Sequence, residues 1–235
     1  MSGINGPVLV TGGTGALGAG VVGELLDAGI PVIATWIAPK ERERTETELG
    51  GRGDLHLVEG DLSTDEGAQL AANAAIELGG PAALVNLIGG FASNGRVHEA
   101  PDGEMERMLE VNVMTAYRMA RACIPAMLGR GGGAIVCVGA RAALEPFSGA
   151  AGYITSKAAV IALSETIAVE YRDDGIRSNA VLPSVIDTPG NRAAMPDADF
   201  SAWVPPAEIG RVVRFLCSTD SAPTSGAAVP VYGRA

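Results

Sequence analysis

The chain has few of the residues that build metal centres. It holds two histidines and three cysteines in 235 residues. His56 and His98 stand far apart, and no cysteines sit at ligand spacing, so no metal is expected. Cys123, Cys137 and Cys217 are odd in number and lie in apolar settings. They read as small core residues in a reducing compartment rather than a disulfide framework. Positive charge is scarce too. Seventeen Lys and Arg face 27 Asp and Glu, giving a formal net charge of −10. That balance argues against nucleic-acid and anionic-membrane partners. It leaves room for one phosphate held locally at a helix N-terminus. No apolar run reaches the roughly 18 residues of a spanning helix. Met1 to Pro7 lacks the successive regions of a signal peptide. A cytoplasmic location is therefore expected.

What is present suits one sheet-centred core. The hydrophobic fraction is 47%, and the length fits a single domain over 1–235. Pro7 to Val10 is a short apolar run, followed by Thr11-Gly12-Gly13-Thr14-Gly15-Ala16-Leu17-Gly18. Leu17, Val21, Leu25 and Ala28 then recur at helical spacing, and Gly29 ends the helix. Strand, glycine-rich turn and helix form the setting in which such a motif binds a dinucleotide. The plain alternative is an ordinary glycine-rich turn.

Pro31 to Ile37 reads as a second strand. Dinucleotide sites often carry an acid near its end to hold the ribose, but Ala34-Thr35-Trp36-Ile37 has none. Lys40, Arg42 and Arg44 follow, which leans toward NADP(H) over NAD(H). They also fit a solvated charged helix over Lys40 to Glu48. Leu55 to Glu59 is a third strand, and Asp61 just beyond it is placed for the adenine or for a plain turn. Ser63-Thr64-Asp65-Glu66 reads as a capping box opening a helix to Leu78. Ala82 to Ile88 is a doubly covered strand ending near Asn86 and Gly89. A long helix is expected over Asp102 to Leu128. Asn112 inside it is a poor helix former unless its side chain has a task.

Ala134 to Val138 and Arg177 to Leu182 read as strands, Ala207 to Leu216 as a helix and Ala227 to Val231 as a last strand. The alternation defines an α/β fold, a Rossmann-type doubly wound parallel sheet of about seven strands. The candidate loops all fall at the carboxyl edge, where such sheets bind ligands.

Tyr153 and Lys157 lie four apart at the start of a helix reaching Tyr171, so both side chains share one face. A free Tyr has a pKa of about 10, and a neighbouring cation favours its phenolate. The pair reads as a proton donor with its tuner, although a Y-x-x-x-K spacing also arises by chance.

Together these motifs, with Asn179-Ala180-Val181-Leu182-Pro183, resemble the short-chain dehydrogenase/reductase family along the whole chain. The resemblance implies an NAD(P)-dependent oxidoreductase acting on a small molecule. It makes Tyr153 the general acid, Lys157 its pKa-lowering partner and Asn112 the holder of a relay water. It implies cofactor contacts at Gly12, Thr14, Gly15, Ala16, Leu17, Gly18, Trp36, Asp61, Leu62, Asn86 and Gly89. Further contacts fall at Tyr153, Lys157, Pro183, Val185, Ile186 and Thr188. A homodimer or homotetramer is expected, with apolar residues such as Met105, Met108, Val111, Ala116 and Met119 at the interface or in the core. Phe91, Ala140, Phe147, Met195 and Trp203 are candidate substrate contacts, and Pro183 to Pro206 would cover the substrate.

Two positions depart from the family pattern. Ala16 replaces a glycine in the turn. Ala140 stands thirteen residues before Tyr153, where the family usually has a serine that polarises the substrate carbonyl. The dihydropteridine reductases of the same family also lack that serine. The chain is similar to them at Gly12–Gly18, Gly139–Leu144 and Asp187–Trp203, which makes quinonoid dihydropterin reduction an alternative. A rival of another class is a non-catalytic NAD(P)-binding sensor or scaffold.

Overall fold

Seven short stretches rich in Val, Ile, Leu and Ala become the strands of one sheet in a computed structural model that describes residues 3–234. Met1 and Ser2, part of the amino-terminal stretch read above, lie outside them. The strands are β1 (Val8–Thr11), β2 (Val32–Trp36), β3 (Leu55–Glu59), β4 (Ala83–Asn86), β5 (Gly133–Val138), β6 (Ile176–Pro183) and β7 (Ala228–Val231). The helices are α1 (Ala16–Asp27), α2 (Pro39–Leu49), α3 (Asp65–Glu77), α4 (Glu104–Leu109), α5 (Thr115–Gly129), α6 (Ala151–Glu170), α7 (Pro189–Ala194) and α8 (Pro206–Cys217). All strands pair in parallel in the order β3-β2-β1-β4-β5-β6-β7. This is the Rossmann-type, doubly wound α/β sheet expected from the alternation.

The period-two alternation of each strand feeds two cores. Val8, Val10, Val32, Ala34, Val85 and Val136 pack with residues of α1 and α8. Leu9, Ile33, Leu84 and Ile135 point the other way, onto α3, α5 and α6. These four are fully buried, so truncating any one to Ala costs about 2–5 kcal/mol. Strand order reverses between β1 and β4, which run in register from Val8↔Ala83 to Thr11↔Asn86. The Thr11 hydroxyl accepts from the Leu87 amide at 3.0 Å, tying the two strand ends together. A crevice opens at such a reversal, beyond the carboxyl ends of the strands.

Two local expectations are corrected. The helix anticipated over Asp102 to Leu128 is α4 and α5 joined by a π-helical turn, Glu110–Met114. The wider turn carries Asn112, whose amide bonds outside the helix (below). The capping box is displaced by one residue. Asp61 takes the Ser63 amide at 3.0 Å and its hydroxyl at 2.7 Å, so Thr64 caps α3 instead, accepting from the Gly67 amide at 3.0 Å. The segment 183–206 is tied back on itself by backbone bonds. Ile186 pairs with Val204, the Val204 amide donates to Val185 at 3.0 Å, and the Asp187 amide donates to Val204 at 2.9 Å. No helix among the described residues is long and apolar enough to cross a membrane.

Candidate active site

The glycine turn after β1 is shaped by close approach. A Cβ on Gly18 would collide with the Gly12 carbonyl. The turn can therefore fold back tightly over the start of α1 only with glycine there. Gly15 caps α1 without a side-chain bond, and no acid occupies the first turn. That leaves backbone N–H groups and the positive helix end available to an anion. The Gly12 amide is fixed by the Thr35 hydroxyl at 3.0 Å.

A cleft of about 630 Å³ lies over this turn, within the range of small-molecule sites. It is lined by Gly12, Thr14, Gly15, Ala16, Leu17 and Gly18, then by Trp36, Asp61, Leu62 and Gly89, all singled out from the sequence. Hydrogen bonds from Ser63, side chain first and then backbone, hold the Asp61 carboxyl below its ordinary range. The glycine contacts, the bare helix end and the cleft volume fit a dinucleotide.

Lys157 and Asn112 meet beside Gly89. A Cβ on Gly89 would sit 2.6 Å from Asn112 Oδ1 and 3.1 Å from Lys157 Nζ, so only glycine leaves room for both. Lys157 is buried and donates to the Val138 carbonyl at 2.8 Å. Burial pulls its ammonium pKa down to about 8, with Cys137 opposing weakly. Asn112 accepts from the Gly90 amide at 2.9 Å, and donates to the Gly90 carbonyl at 3.2 Å and to the Ser156 hydroxyl at 2.8 Å. Ser156 donates in turn to the Tyr153 carbonyl at 2.8 Å. The Tyr153 ring is met edge-on by Phe91, with centroids 4.9 Å apart. Burial raises the Tyr153 hydroxyl above its ordinary pKa.

Other expected residues are placed differently. The Asn86 side chain points inward. It donates to Cys137 Sγ at 3.7 Å, and its Oδ1 is buried without a protein partner. It therefore lies beneath the cleft, not on its wall. Thr188 uses its hydroxyl to cap α7, accepting from the Asn191 amide at 3.2 Å. Pro183 ends β6 and Val185, Ile186 and Thr188 follow it, all outside the lining of the 630 Å³ cleft. Ala140 is buried directly after β5. Phe147 and Met195 are exposed, whereas Trp203 is buried against Phe200 at 4.8 Å and anchors its segment. Met108, Ala116 and Met119 are core residues, and Met105 keeps part of its surface.

None of Lys40, Arg42 and Arg44, on which the NADP(H) expectation rested, lines the cleft. Arg42 lies over the Trp36 ring at 5.6 Å and pairs with Glu46 at 3.2 Å. Arg44 donates to the Thr14 carbonyl at 2.6 Å. The sequence reading missed Glu41 and Arg107, which do line it. Both belong to charged helical stretches that pattern alone assigns to solvent. Ser156 was missed as well. Its signal was a hydroxyl one residue before Lys157, on the buried side of an apolar helix.

A doubly wound sheet with a dinucleotide-shaped cleft and a Tyr–Lys pair beside it defines a class of nicotinamide-dependent enzymes. The short-chain dehydrogenase family model matches residues 7–199. The chain belongs to that family and is an NAD(P)-dependent oxidoreductase. It is 33% identical to 2-(R)-hydroxypropyl-CoM dehydrogenase of Xanthobacter autotrophicus, over 96% of each chain. It is 28% identical to dehydrogenase/reductase SDR family member 4 of Bos taurus, over 97% of this chain and 86% of the relative. A short-chain type dehydrogenase/reductase from Mycobacterium ulcerans superposes with a TM-score of 0.93 at 22% identity. That match covers all of this chain and 90% of the other, and it speaks for the fold alone.

Proposed function

We propose that the protein reduces an electron-poor C=O or C=N bond of a small molecule with NAD(P)H, Tyr153 being the proton donor. The observation that carries this reading is that Tyr153 and the buried Lys157 stand one turn apart on α6, with Lys157 Nζ beside Gly89 of the cleft lining. The dinucleotide supplies the hydride when bound. Tyr153 gives its hydroxyl proton to the substrate oxygen or nitrogen as that atom gains charge. Lys157, cationic below about pH 8, stabilises the phenolate left behind. Asn112 fixes Gly90 and, through Ser156, the first turn of α6.

In the same reading the glycine turn and the start of α1 hold the pyrophosphate, while Asp61 and Leu62 flank the adenine. The backbone at Val185 and Ile186 meets the carboxamide, and Thr188 keeps that segment in place by capping α7. Phe91, Phe147 and Met195 border the substrate. Tyr117 on α5 and Val169 on α6, 44% and 64% exposed, support a homodimer or homotetramer through these helices.

Ala140 favours a second, narrower reading. A missing oxyanion-type donor costs about 2.7–4 kcal/mol of transition-state stabilisation. A quinonoid dihydropterin is already electron-poor and needs less of that help. The test is oxidation of NADH and NADPH with a panel of ketones, aldehydes, imines and quinonoid dihydropterin. Secondary alcohols of the 2-hydroxypropyl thioether type are assayed in reverse. Turnover is expected with at least one electron-poor acceptor and strongest with the pterin if the narrower reading holds. Dinucleotide binding without turnover on any member overturns the catalytic reading.

A further inference from the structure

We infer that a second cavity, at the amino edge of the sheet, binds a small molecule by its phosphate group, held by Arg130, Arg172 and Arg177. Neither the dinucleotide nor the proton transfer proposed above uses this cavity. Its volume is about 740 Å³, within the range of small-molecule sites. Its wall includes Ala82 just ahead of β4, Gly133 at the start of β5 and Ile176 at the start of β6. The catalytic cleft lies beyond the other ends of the same sheet.

The chain has a formal net charge of −10, yet this lining holds three arginines and no Asp or Glu. Eight other arginines pair with acids. These three form no ion pair among the described residues. Asp173 and Asp174 are exposed on the turn after α6 and stand outside the lining. Arg177 is half-buried. It donates to the carbonyls of Leu216 and Ser218, each at 2.9 Å, and of Thr224 at 3.1 Å. Arg130 donates to the Gly79 carbonyl at 2.6 Å and the Asn5 carbonyl at 2.5 Å. Carbonyls fix a guanidinium in place without cancelling its charge, and these bonds leave part of each five-donor fork unspent. The Arg172 side chain is exposed and bonded to nothing among the described residues. Burial pulls the Arg177 pKa below its ordinary value, as for a cation taken from water without an anion beside it. The Cys217 thiol of the same lining is neutral at pH 7, its pKa pushed up to about 12 by burial.

Two anchored guanidiniums and a third free to close suit an oxyanion with several acceptor oxygens. Guanidinium forks match phosphate geometry in pairs of bonds. A phosphate monoester carries about −1.5 to −2 charges and three acceptor oxygens. It therefore answers more of this excess charge than one carboxylate can. The turns bearing Arg130 and Arg172 are locked together. The Gly133 amide donates to the Gly175 carbonyl at 3.2 Å, and a Cβ on Gly132 would lie 2.5 Å from that same carbonyl. The cavity is far larger than a bare ion, so the phosphate is expected to bring an organic part with it.

The test is calorimetric titration of the full chain, with and without NADH, at fixed ionic strength. The probes are inorganic phosphate, succinate and three monoesters: glucose 6-phosphate, glycerol 3-phosphate and phosphoserine. Phosphate is expected to bind more tightly than succinate, and at least one monoester more tightly than phosphate, with NADH leaving both unchanged. Affinity should fall as salt is added. Arg172→Gln should weaken binding about tenfold, the loss of one charge-assisted bond. Its melting temperature should match wild type, because that side chain supports nothing else. Arg177→Gln should weaken binding at least as much, and Arg172→Gln keeps the test readable if Arg177→Gln fails to fold. Absence of phosphate binding overturns the inference, as does affinity unchanged in Arg172→Gln. Loss of binding in the presence of NADH overturns it too, since the phosphate would then sit at the glycine turn. Inorganic phosphate binding as tightly as every monoester would reduce the cavity to an ion site and overturn the small-molecule ligand.

Discussion

The amide of Asn112 donates to the hydroxyl of Ser156 at 2.8 Å, so the π-helical turn between α4 and α5 is bonded to the second turn of α6. Ser156 passes the constraint on by donating to the Tyr153 carbonyl. Both side chains are buried. Removing Ser156 leaves a buried Asn112 donor short of a partner, a loss of about 1–3 kcal/mol. Ser156→Ala should melt lower and lose turnover by about tenfold through kcat, with dinucleotide affinity kept. Loss of affinity with kcat intact would show that the contact serves the cleft and not Tyr153.

Lys157 gives the site a pH dependence of defined sign. Its folded pKa is depressed to about 8, against 10.5 for the free group. Below pH 8 both states are protonated and the folded state bears the full cost of the buried charge. As pH climbs from about 8 to 10.5 the folded state has already released the proton, so that cost is relieved. Cys123, Cys137 and Cys217 act oppositely, since burial raises their thiols to about 11–12 and stability falls above pH 9. Comparison of wild type with Lys157→Met cancels the thiols. The stability of the variant relative to wild type should be greatest near neutrality and should decline between pH 8 and 10. A pH-independent difference would mean that Lys157 is not charged in the folded state at pH 7.

Ala140 follows β5 as a buried methyl where a hydroxyl would act on a carbonyl. Ala140→Ser adds one atom and a donor. Turnover of unactivated ketones should rise, by up to about 100-fold if the hydroxyl reaches its place. Turnover of already electron-poor acceptors should change little. An equal change for both classes would remove Ala140 from the account of substrate choice.

Gly89 separates Asn112 from Lys157. Gly89→Ala would place a methyl 2.6 Å from Asn112 Oδ1, and overpacking of this kind costs about 1–3 kcal/mol. The variant should bind dinucleotide weakly and melt lower. Unchanged binding would show that Asn112 can turn away freely.

The sheet was legible in the sequence because each strand is short, apolar and bounded by turn residues, and helices of 3.6 periodicity alternate with them. The glycine turn was legible for the same reason: its glycines answer to backbone geometry. The break at Glu110–Met114 was not, since a π turn is set by the partners that Asn112 finds across the fold. The inward turn of Asn86 and the burial of Trp203 likewise depend on long-range packing. Glu41 was hidden in Lys40–Glu48, where a glutamate facing a cleft and one facing water obey the same pattern. Arg42 and Arg44 leaned toward a phosphate site by sequence alone; in the fold Arg42 lies over Trp36 and Arg44 donates to the Thr14 carbonyl.

The central claim is that Tyr153 donates the proton, and Tyr153→Phe tests it most directly. The measurement is turnover on the best electron-poor acceptor together with calorimetric dinucleotide affinity, for wild type and variant under the same conditions. The account expects turnover to fall by about 10²–10⁴ while affinity stays within a few-fold. Turnover that survives the substitution would contradict it, and a different group would have to supply the proton.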